Sequence, residues 1–102
     1  MAALCYQVNL QRGFGGGELY TAFFTRALEA AGVRSVLFAD PRAGFWSAHL
    51  PASTQIVQVT EDALLPRLAE LSGAIVLFHT PLRGAALEAL HAAGAKAVAL
   101  VH

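Results

Sequence analysis

The chain has 102 residues, 56% of them hydrophobic and 14% charged, which fits one domain with a packed interior and excludes a disordered chain. Seven basic and seven acidic residues cancel, so overall charge gives no pull toward nucleic acid or an anionic membrane. Cys5 is the single cysteine and forms no internal disulfide. No apolar run approaches the ~20 residues of a membrane span, and the N-terminus carries no basic leader, so the chain reads as cytoplasmic.

Leu4 to Leu10 alternates apolar and polar residues and predicts a first strand. A glycine-rich loop follows at once. From Glu18 to Ala31, Leu19, Phe23, Ala27 and Ala31 form one row, and Tyr20, Phe24 and Leu28 a second beside it. The spacing predicts a helix docked through this broad apolar face, stopped by Gly32. Ser35 to Ala39 is a continuous apolar run, as in a central parallel strand, and Asp40-Pro41 ends it. Pro41 to Thr54 contains Pro41, Pro51 and Gly44 and no helical period, so it reads as an irregular connection. Ile56 to Val59 predicts a short third strand. Thr60, Glu61 and Asp62 suit a helix start, with Pro66 either kinking that helix or marking a later beginning. Ala74 to Phe78 predicts a fourth strand. Thr80-Pro81 opens a helix to Ala93 with Gly94 after it, and Lys96 to Val101 predicts a fifth strand.

This alternation predicts an α/β fold: a Rossmann-like parallel sheet of about five strands in the order 3-2-1-4-5, with helices on both faces. The first helix is expected to cover its face nearly alone, because the second crossover shows no helical period, and the later two to share the other. With one face thinly covered and a buried-type strand at the end, residues 1–102 read as a single domain belonging to a larger protein. The piece itself is expected to self-associate through that bare face or an edge strand.

In such a sheet the ligand crevice lies at the carboxyl ends of the strands, where the strand order reverses, and the glycine loop borders it. Gly15, Gly16 and Gly17 let backbone approach a ligand, and the helix start beyond them presents unpaired amides suited to a diphosphate. The alternative is a glycine turn with Glu18 as an ordinary helix-dipole partner. From Gly13 the residues read G-F-G-G-G-E, which puts Glu18 where a dinucleotide fingerprint has its third glycine. A large acidic side chain is not expected to pack there, and the Lys-Ser/Thr ending of a P-loop is absent. A first-turn carboxylate also competes with a bound anion, so the loop is expected to need a second half.

The stretch "GGGELYTAFFTRALEAAGVRSVLFAD", with "AIVLFHTP" and "KAVALVH" downstream, resembles the N-terminal domain of GT-B glycosyltransferases of the retaining family 4 type. The likeness runs through the whole chain, while the nucleotide-sugar domain of that family, with its paired glutamates, has no counterpart in these residues. The resemblance implies transfer of a sugar from a nucleotide-sugar donor, a substrate and not a cofactor, to an acceptor held between two domains. It implies backbone amides of the glycine loop near the donor diphosphate, completed by basic residues of the second domain. It also implies that His102, after the fifth strand, acts on the reacting sugar as the catalytic histidine. No transfer is expected from these residues alone.

The remaining candidates carry two readings each. His79, at the end of the fourth strand, suits acceptor contact or a structural place beside Thr80-Pro81. Glu18 joins it on the acceptor side by resemblance, while His49 and His91 have weaker claims. Phe45 and Trp46 suit stacking on an acceptor sugar, or else lid the core. Asp40 suits a ribose hydroxyl in a nicotinamide-dinucleotide protein, or simply ends its strand with Pro41. No residues show metal-ligand spacing. A dinucleotide-binding fragment and a flavodoxin-like interaction module without chemistry therefore stand as alternatives.

Overall fold

A computed structural model describes residues 3–13, 15–68, 75–79 and 96–99. In chain order the elements are β1 (Ala3–Asn9), α1 (Gly16–Ala30), β2 (Val33–Ala39), α2 (Trp46–His49), β3 (Gln55–Gln58), α3 (Glu61–Leu68), β4 (Ile75–Phe78) and β5 (Lys96–Ala99). The fold is mixed α/β around a parallel sheet with Rossmann-like topology. β1 lies between β2 and β4, and β3 flanks β2. The backbone of β5 runs parallel beside β4, with Lys96 opposite Ile75. The expected helix from Thr80 to Ala93, its stop at Gly94, Ala74, Val101 and His102 lie outside the described residues.

Strand alternation sorts the side chains onto two unlike faces. Val8, Val36, Phe38, Val59 and Val76 pack with Leu64 of α3, forming an all-apolar core on one face. On the other, Leu37 and Ala39 pack with Ala43 and Trp46, while neighbouring β1 presents Gln7 and Asn9, both fully buried. Those two amides explain how α1 docks. Buried polar groups need partners, and α1 supplies them by burying Glu18, Thr21, Ala22 and Thr25, a stripe at i, i+3, i+4 and i+7.

This overturns the docking face expected for α1. Leu19 is 41% exposed, Tyr20 47% and Phe23 58%, while Phe24 and Leu28 are half-buried. Aromatic spacing marked a face of the helix, but the buried amides of β1 draw in the polar one instead.

The connection after β2 is also more ordered than its sequence suggests. Trp46–His49 forms one helical turn, and Trp46 buries all but 1% of its surface against Leu37 and Ala39. α1 therefore does not cover its face nearly alone. One turn is too short to leave a period in the sequence. α3 starts at Glu61 and carries Pro66 inside it. The Thr60 hydroxyl accepts a hydrogen bond from the Ala63 amide at 3.3 Å, so the helix starts at the Thr60 cap and not near the proline. Gly32 adopts φ +84° after α1, a left-handed stop that a side chain disfavours.

Candidate functional site at the carboxyl rim

Three strands deliver the candidate residues to one rim of the sheet. β1 ends at Asn9 and leads through Arg12 and Gly13 to Gly15, which caps α1 in an extended conformation without a side-chain cap. β2 leads directly into Asp40, and β4 into His79, whose backbone amide donates to the Val8 carbonyl at 2.9 Å.

Gly16 and Gly17 form the first turn of α1, so their amides lie among those a helix leaves without intrahelical partners. Gly32 is the glycine with a positive φ among the described residues. Among the described residues, a Cβ added at Gly13 or Gly16 would meet nothing within 4 Å, and one at Gly15 would sit 3.6 Å from Glu18 Oε1, an ordinary contact. Neither backbone strain nor crowding by the described residues thus requires glycine at Gly13, Gly15 or Gly16.

Glu18 is buried, and its Oε2 accepts from Asn9 Nδ2 at 3.4 Å. The same amide donates to Thr21 Oγ1 at 3.0 Å, and Asn9 Oδ1 accepts from the Gln11 backbone amide at 3.2 Å. The acidic side chain thus packs between helix and strand where none was expected to fit, because Asn9 gives it a donor. Its place is inside, under the loop.

Sequence reasoning missed two arginines on this rim. Asp40 Oδ1 accepts from the Arg42 backbone amide at 2.8 Å and from Arg42 Nε at 3.1 Å, and Arg12 Nε lies 3.6 Å from Asp40 Oδ2. The hydrogen bond from the Arg42 side chain, then that from its backbone amide, holds the Asp40 carboxyl below the usual carboxylate range. Both guanidinium side chains remain largely exposed, at 63% for Arg12 and 60% for Arg42. Their positions, directly before Gly13 and two residues after Asp40, were the available signal. Each follows a parallel strand into the crevice.

His79 is buried, with Nε2 2.7 Å from Gln7 Oε1 and its ring 6.4 Å from those of Tyr20 and Phe24. Trp46 belongs to the core and shows no ring face for a sugar. Phe45 leans on it at a centroid distance of 4.9 Å and is half-buried. His49 lies in the α2 turn. His91 and His102 lie outside the described residues. Cys5 is buried, and burial pushes its thiol pKa up, which suits a packing role. Among the described residues no helix is long and apolar enough to cross a membrane.

No protein-family model, curated protein or solved structure matches the chain.

Proposed function

We propose that the chain is the opening, acceptor-side domain of a GT-B glycosyltransferase, with a Rossmann-like sheet of about five strands, and that Gly15, Gly16 and Gly17 face the donor diphosphate. The reading rests on the family resemblance of the sequence. Its structural support is that, among the described residues, a Cβ at Gly13 or Gly16 would meet nothing within 4 Å, so the backbone there is open to close approach by a ligand. The exposed guanidinium groups of Arg12 and Arg42 add local positive charge at the same rim, supplementing what a second domain brings. His102 acts on the reacting sugar in this reading, with Phe45 and His79 on the acceptor side and Glu18 supporting the loop from beneath.

A nicotinamide-dinucleotide fragment has less support, because the Asp40 carboxylate is engaged by Arg42 and Arg12 and Glu18 holds the place of the third glycine. An interaction module is favoured by one observation, the exposed Leu19 and Phe23 of α1. Titration calorimetry with uridine and guanosine diphosphates tests the proposal. A Cβ at Gly16 meets nothing within 4 Å among the described residues, so Gly16→Val is expected to keep the fold and to weaken binding by about tenfold, about 1.4 kcal/mol. Equal affinity in both proteins would remove the loop from the site.

A further inference from the structure

We infer that Gln7 is a positioning residue that holds the His79 ring with a proton on Nε2. The inference follows from four hydrogen bonds. Thr25 Oγ1 lies 2.8 Å from the Thr21 carbonyl oxygen, and a carbonyl only accepts, so the Thr25 hydroxyl spends its proton there. Gln7 Nε2 lies 2.7 Å from the same Thr25 oxygen, which now has only lone pairs to offer. The amide must present its NH₂ group to Thr25, and the Ser35 hydroxyl 3.2 Å away accepts from it as well. Turning the amide over would press two oxygens without a proton between them against each other.

With the amide so fixed, the atom facing His79 is Oε1, an acceptor, at 2.7 Å from Nε2. Nε2 must therefore donate. Neutral imidazole protonated on Nε2 and imidazolium both satisfy that contact. Gln7, Thr25 and Ser35 are all at most 4% exposed, and competition from water is slight. On the glycosyltransferase reading, on which this clause alone rests, Gln7 fixes the orientation in which His79 meets the acceptor.

The test is a long-range ¹H–¹⁵N correlation spectrum of the histidine rings in the ligand-free chain, assigned with His79→Asn. Nε2 of His79 is expected to show the shift of a protonated nitrogen and a slowly exchanging N–H resonance. A bare Nε2 with the proton on Nδ1 would overturn the inference. Gln7→Leu should lose the slow resonance. Survival of the resonance in Gln7→Leu would equally remove Gln7 from the role. The wild-type spectrum decides the proton's position even where Gln7→Leu does not fold. Because no ligand enters the experiment, its outcome is separate from nucleotide binding at Gly16.

Discussion

The Asn9 side-chain amide reaches Glu18 at 3.4 Å and Thr21 at 3.0 Å, joining the end of β1 to the first turns of α1. The glycine loop lies between the two, so this contact sets where the helix begins relative to the strand. Asn9→Ala strands the buried Glu18 carboxylate and removes the acceptor of the Gln11 amide. Leaving buried polar groups unpaired costs about 1–3 kcal/mol. Urea unfolding should register that loss, while Gln11→Ala, at an exposed position, should stay within about 0.5 kcal/mol of wild type.

Asp40 gives a pH dependence of definite sign. Hydrogen bonds from Arg42 lower its folded-state pKa, so its contribution is fully present above the unfolded value of about 3.9 and is lost as pH falls through the lower folded value. Asp40→Asn should flatten that acid limb of a stability-against-pH curve. It should leave stability near pH 7 only slightly lower, since both arginines are mostly solvated. An unchanged acid limb would show that the pairing is not maintained in solution.

The parts of the fold with strong local signals were legible. Alternation marked β1, continuous apolar runs marked β2 and β4, and Gly32 marked the stop after α1, while Thr60 was one of two starts left open for α3. The docking face of α1 was not, because aromatic spacing dominates that segment. The deciding signal was the pair Gln7 and Asn9 in β1, two amides on one strand face that need partners from whatever packs there. α2 was hidden because a single turn has no period. At the rim, the glycines and His79 could be placed from sequence by strand ends, whereas the convergence of Arg12 and Arg42 on Asp40 depends on two loops meeting in space.

Trp46 tests the corrected reading of the segment after β2. Its ring is part of the core with Leu37, Ala39 and Ala43, so Trp46→Ala should cost about 3–5 kcal/mol, a large share of the roughly 5–15 kcal/mol that holds a domain folded. Chemical denaturation followed by circular dichroism measures it. Phe45→Ala, at a half-buried site, should cost less. Trp46 fluorescence should not respond to added sugars.

The exposed face of α1 adds a third surface to the bare sheet face and the edge strand expected to self-associate. With Leu19 and Phe23 exposed and Arg26 stacked 4.8 Å over the Phe23 ring, docking of a second copy of the chain on this face is open to test. Sedimentation at micromolar concentration should show a dimer, and Leu19→Lys with Phe23→Lys should return it to monomer without loss of stability. Loss of stability in that double variant would mean that the face is part of the fold.

The glycine loop is proposed to receive a diphosphate. Amide ¹H–¹⁵N spectra recorded during titration with uridine or guanosine diphosphate, and with the matching nucleosides, test it directly. Saturable shifts are expected at Gly15, Gly16 and Gly17 with the diphosphates, accompanied by Arg12, and none of comparable size with the nucleosides. Silent glycine amides, or equal responses to nucleoside and diphosphate, would contradict it.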